Sequence, residues 1–110
     1  MDIREETQGD VLLIHAAGRL DSGSAGELEA VLPARTQANA KVVLDLSDAP
    51  YVSSAGLRVL LIGAKAARGA GHKLVLAGLS PSVREVFDIS GFTSIFTIET
   101  DAASAVASLA

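Results

Sequence analysis

Lys41-Val42-Val43-Leu44-Asp45-Leu46-Ser47-Asp48-Ala49-Pro50-Tyr51-Val52-Ser53-Ser54-Ala55-Gly56-Leu57-Arg58-Val59-Leu60-Leu61 is where the chain declares its fold. Lys41 to Leu46 is a strong strand signal, with Val42, Val43 and Leu44 at its heart. A short loop follows, and from Ser54 to Arg68 the apolar residues recur at helical spacing. Leu57, Leu60, Leu61 and Ala64 form one face, with Arg58, Lys65 and Arg68 on another. Gly69 and Gly71 stop this helix. Ser53, Ser54 and Gly56 stand at the changeover. Serine oxygens satisfy the orphan N–H groups of a helix start, and the field there favours added negative charge.

Upstream, Asp2 to Thr7 alternates weakly as a short strand, Gln8-Gly9-Asp10 reads as a turn, and Val11 to Ala17 reads as a buried strand. The two strands are close enough for an antiparallel hairpin. Gly18-Arg19-Leu20-Asp21-Ser22-Gly23 breaks the pattern. Ser24-Ala25-Gly26-Glu27 then fits a capping box, with Leu28, Val31 and Leu32 at helical spacing. Pro33 should bend that helix or stop it early.

Downstream, Lys73 to Ala77 is another buried strand. Ser80-Pro81 predicts an N-cap and a proline at the first helical position, with Val83, Val86 and Phe87 inward. Ser94 to Ile98 reads as a last short strand. Asp101 to Leu109 reads as a C-terminal helix capped by Thr100 or Asp101. The alternation predicts an α/β fold with a mixed sheet of about five strands, the first hairpin antiparallel and the rest parallel, flanked by about four helices. Residues 1–110 form a single domain, without linker or repeat.

Composition narrows the function. Nearly half the residues are apolar, and the net charge is -4. The nine basic residues are scattered, which argues against nucleic acid as a partner. There are no cysteines, which excludes disulfides, thiolate metal sites and cysteine nucleophiles. No apolar run approaches a membrane span or a signal peptide, so no direct membrane insertion and a cytoplasmic location are expected. No cofactor motif appears. Gly69-Ala70-Gly71-His72-Lys73 matches neither a P-loop nor a dinucleotide fingerprint. Asp21, Asp45 and Asp48 have no metal-ligand spacing.

Val52-Ser53-Ser54-Ala55-Gly56 lacks the first glycine of a nucleophile elbow. A hydrolase would need His15 or His72 as base, the first in an apolar strand and the second in a predicted surface loop. Two readings of the serine turn stay open: plain helix capping, or a phospho-acceptor whose dianion a helix start tolerates. Asp21 follows its strand as the serine turn follows another, so both loops should share one face.

With these residues placed, the chain resembles the anti-sigma factor antagonists, the bacterial members of the STAS domain family. The resemblance runs over essentially the whole chain. Gly18-Arg19-Leu20-Asp21 is similar to that family's Gly-x-Leu-Asp segment. Val43-Leu44-Asp45-Leu46 through Tyr51-Val52-Ser53-Ser54-Ala55-Gly56-Leu57 is similar to its strand, loop and switch turn. Leu79 to Phe87 with Ser90-Gly91-Phe92 is similar to its third helix and exit.

The resemblance implies a binding module and kinase substrate rather than a catalyst. In its unphosphorylated state the family member binds an anti-sigma factor that is also a GHKL-type serine kinase, and so releases a sigma factor. Phosphorylation of one serine dissociates the complex, and a PP2C-type phosphatase restores it. Aligned on Gly56 and Leu57, the acceptor falls on Ser54. Asp21, Ser53, Gly56 and Arg58 are implied at or beside the partner surface. Ser53 stands where phosphorylated members commonly carry aspartate, and Ala55 where serine or threonine is frequent, so Ser53 is the alternative acceptor. A non-phosphorylated STAS scaffold, as a subunit of a lipid-transport ABC system or of a signalling assembly, is the other implied role. No dimer seam is readable, which leaves a weak homodimer open.

Overall fold

A computed structural model describes all 110 residues. Five strands form one sheet in the order β1(Asp2–Gln8), β2(Val11–Ala17), β3(Lys41–Asp45), β4(Lys73–Ala77) and β5(Thr97–Glu99). β1 and β2 are antiparallel, paired from Asp2 opposite Ala17 to Gln8 opposite Val11. The remaining neighbours are parallel. The mixed α/β sheet is the one the alternation predicts.

The strand sequences are nearly continuous in apolar residues because both faces are covered. Ile14, Ala16, Val42, Leu44 and Leu76 point into a core shared with α1(Ala25–Glu29), α2(Leu32–Ala38), α3(Ser54–Gly69) and α4(Pro81–Ile89). Val11, Leu13, Val43, Val75 and Ala77 point the other way. Ala105 and Leu109 of α5(Ala102–Leu109) cover them. β1 lies outside that cover and is exposed along most of its length. Its charged residues blunt the sheet edge, and Glu5 reaches Arg35 of α2 at 2.7 Å.

One local expectation is met by an early stop, and two are corrected. The helix foreseen after Ser24 is two short helices, α1 and α2, with Pro33 in the first turn of the second. A proline lacks the N–H an interior position needs, so the chain stops and restarts. The capping box does not form. The Ser24 side chain makes no cap bond, and Glu27 instead reaches the N-terminal ammonium at 3.0 Å. Ser94 belongs to a 3-10 turn, Phe92–Ser94, and the last strand begins only at Thr97. Phe96 turns inward against Phe87, ring centroids 5.6 Å apart, rather than extending the strand.

The other caps follow expectation. Ser80 Oγ accepts the Val83 N–H, and Asp101, rather than Thr100, caps α5 by accepting from Ser104. α3 packs closely on α2 because Gly63 has no side chain: a Cβ there would lie 2.6 Å from Leu32 Cδ2.

Candidate functional site

The loop leaving β2 and the loop leaving β3 are stitched together by three backbone bonds. Gly18 N–H donates to Asp48 O at 2.9 Å, Leu20 N–H to Tyr51 O at 2.9 Å, and Ser53 N–H to Leu20 O at 2.8 Å. Leu20 and Val52 form a parallel bridge. Asp21 therefore follows directly on the residue that holds Ser53, and the expected shared face is present.

The two serines have different surroundings. Ser53 is extended, φ -86° and ψ 175°, and its Oγ accepts the Gly56 N–H at 3.3 Å. Its carbonyl accepts the Leu57 N–H at 2.9 Å. Ser53 is thus the N-cap of α3 and half-buried. Ser54 is the first helical residue, exposed, and its hydroxyl has no partner within the protein. The N–H groups of Ser54 and Ala55 are also unpaired within the chain, as two of the orphan donors of a helix start. One exposed hydroxyl thus lies among unsatisfied donors at the positive end of a 16-residue helix.

Gly56 is buried beneath this turn, where its missing side chain lets α3 lie on Leu20. Arg58 is exposed one turn after Ser54, on the same helix face. It approaches Glu29 at the end of α1 at 3.7 Å.

Asp21 is held by its own turn. Its Oδ1 accepts the Gly23 N–H at 3.0 Å and the Ser24 hydroxyl at 3.3 Å. The Gly23 N–H holds its carboxyl below the usual carboxylate range; desolvation opposes this, and the Ser24 hydroxyl and backbone N–H and the Arg19 charge add to the lowering. Ser24, buried, donates to Arg19 O at 2.6 Å and accepts the Asp21 N–H at 3.0 Å. That inward commitment is why it caps nothing.

Two contacts on this face escaped the sequence reading. The Arg19 guanidinium stacks on the Tyr51 ring, 4.3 Å from its centroid, and also lies 3.7 Å from Asp21. Tyr51 is 40% exposed, one of three large apolar side chains so open to solvent. Only the stitching of the two loops brings residues 19 and 51 together. An aromatic residue beside the serine turn was the one available signal.

The histidines are placed elsewhere. His15 lies on the α5 side of the sheet, its Nδ1 2.9 Å from Asp45 Oδ2 and its Nε2 2.9 Å from Glu6 Oε1. His72 packs its Nδ1 on the Thr36 carbonyl at 2.8 Å. Neither reaches Ser54. Asp21, Asp45 and Asp48 do not converge, and no cluster of three or more His, Asp or Glu side chains is arranged to hold a metal ion. No helix is long and apolar enough to cross a membrane.

The comparisons agree with this geometry. The STAS domain model matches residues 2–105. A relative named as an anti-sigma factor antagonist, BtrV of Bordetella bronchiseptica, is 46% identical over 98 residues, covering 88% of this chain and 84% of the relative. Among solved structures, a protein of Thermotoga maritima described as an anti-sigma factor antagonist superposes with a TM-score of 0.89 at 18% identity. The alignment covers 96% of this chain and 92% of that one. The Bacillus cell fate determinant SpoIIAA in its phosphorylated form superposes with a TM-score of 0.74 at 18% identity, over 99% of this chain and 100% of that one. With its sheet, its paired loops and its serine turn in place, this chain belongs to the STAS domain family.

Proposed function

We propose that this chain is a cytoplasmic anti-sigma factor antagonist that works as a binding module and not as an enzyme. In its unphosphorylated state it binds an anti-sigma factor of the GHKL serine kinase type and so frees a sigma factor. Phosphorylation at Ser54 ends the complex, and a PP2C-type phosphatase reverses it. The observation that carries this reading is the contrast at the turn: Ser53 is committed to capping α3, whereas Ser54 offers an exposed, unpartnered hydroxyl. The 46% identical relative named as an anti-sigma factor antagonist supports the partner class.

The physics of the switch follows from that position. A phosphate carries about -1.5 to -2 charges at neutral pH. At the start of α3 it meets free N–H groups and the favourable end of the helix dipole, so the fold tolerates it. Arg58, one turn on and loosely held by Glu29, is within reach of a phosphate on Ser54. A partner fitted against the neutral turn must instead desolvate a dianion. Every ~1.4 kcal/mol of that cost weakens binding tenfold. Asp21, Ser53 and Arg58 form the surrounding contact surface, and Gly56 shapes it from below.

The test is phosphopeptide mapping of the protein from its native cells, with and without phosphatase, joined to partner capture with Ser54→Ala and Ser54→Asp. A phosphate on Ser54, with capture by the alanine variant and loss with the aspartate variant, is the expected result. A phosphate on Ser53 moves the acceptor by one residue. No phosphate under any condition, with both variants capturing the same partner, overturns the switch. That outcome leaves the scaffold role, in which Ser53 serves only as a cap.

A further inference from the structure

We propose that a second site, at the end of α3 remote from Ser54, binds a small anionic amphiphile: a monocarboxylate with an apolar tail. α3 runs for 16 residues, about 24 Å at 1.5 Å per residue, so this site is separate from the serine turn.

The site is a hollow of about 490 Å³, within the range that small molecules occupy. Its origin lies in the sheet. β5 pairs only with Val75 to Ala77, because the chain before it coils into the 3-10 turn. Lys73 and Leu74 therefore have no strand beside them on that side, and the hollow opens where a longer β5 would lie. Leu74, Phe96 and Leu109 supply an apolar lining. Ile95 stands at the same hollow 44% exposed, a large apolar side chain left open to solvent beside a concavity.

Charge selects the ligand class. Arg68 and Lys73 both line the hollow and are exposed. Neither takes part in an ion pair, although five other basic side chains, Arg19, Arg35, Lys41, Arg58 and Arg84, do. The one acidic lining residue, Glu99, pairs with Ala77. That is four strand residues from Lys73, about 13 Å along β4. One end of the hollow is thus cationic, with apolar surface beside it. A carboxylate head between Arg68 and Lys73 would gain charge-assisted hydrogen bonds, and its tail would cover Leu74, Phe96 and Ile95.

The test is titration of the ¹⁵N-labelled full chain with octanoate, with octanol as the uncharged control. Saturable shifts at Lys73, Leu74, Ile95 and Thr97, with a Kd of about 1 mM or tighter, are expected. The Arg68→Gln/Lys73→Gln double variant should weaken octanoate binding about tenfold, and octanol should bind as weakly to the native chain. Both positions are exposed, so the rest of the amide spectrum should stay in place and certify the fold. Absence of saturable shifts, octanol binding equal to octanoate, or a double variant that binds octanoate undiminished would each overturn the proposal. None of these readouts depends on the phosphorylation state of Ser54.

Discussion

Gly56 of α3 lies directly on Leu20: a Cβ built on the glycine would stand 2.7 Å from Leu20 Cγ and 2.9 Å from the Leu20 carbonyl oxygen. The second distance involves backbone, which cannot swing aside as a flexible side chain can. The same carbonyl accepts the Ser53 N–H, so displacing it disturbs the cap of α3 as well. Gly56→Ala should therefore destabilise the protein by about 1–3 kcal/mol, the usual cost of overpacking. Urea unfolding midpoints measure the effect. Partner binding should weaken too, although no exposed atom is removed.

The two serines should separate in a stability experiment. Ser53→Ala removes an N-cap oxygen and should cost about 1 kcal/mol. Ser54→Ala removes an exposed hydroxyl without a partner and should stay within about 0.5 kcal/mol of the native chain. Chemical denaturation of both variants checks the division of labour. Equal losses would mean that the hydroxyls share the cap.

Asp21 should order its loop through the Gly23 N–H and the Ser24 hydroxyl. Asp21→Ala should speed amide hydrogen exchange at Gly23 and Ser24 while leaving β2 protected. Because its folded carboxyl titrates below the unfolded value near 3.8, its contribution is present above that pH. It is lost as pH falls through the lower folded value.

His15 predicts a pH dependence of opposite sign. The bond to Glu6 raises its pKa above 6.5, burial works against this, and Asp45 adds to the rise. Arg4 lies opposite on β1. The imidazolium form thus favours the folded state. Its contribution is complete below pH 6.5 and disappears as pH rises through the raised folded value. Between pH 6 and 8, the native chain should lose stability relative to His15→Gln. Parallel stability curves for the two proteins would show that the cluster is energetically silent.

Much of the fold was readable from residue order, because strand and helix periods are local. Val11 to Ala17, Lys41 to Leu46, Ser54 to Arg68 and Lys73 to Ala77 each show their period within a few residues. Their alternation implies crossovers and a largely parallel sheet. Misreadings arose where a competing contact outbid the expected pattern. Ser24 has the spacing of a capping box, but the carbonyl of Arg19 takes its hydroxyl. Ser94 and Ile95 have strand composition, but the packing of Phe96 on Phe87 and Phe92 holds them in a turn.

The serine turn was likewise visible in the sequence alone, since two serines and a glycine at a strand-to-helix change have few structural meanings. Which serine caps and which stays free was settled only in three dimensions: the Leu20 carbonyl holds the Ser53 N–H, and Ser53 Oγ accepts the Gly56 N–H. The Arg19–Tyr51 stack and the hollow beside Lys73 belong to the same class. They join segments 32 residues apart or more than two elements at once, and such contacts depend on how the sheet is packed rather than on any local period.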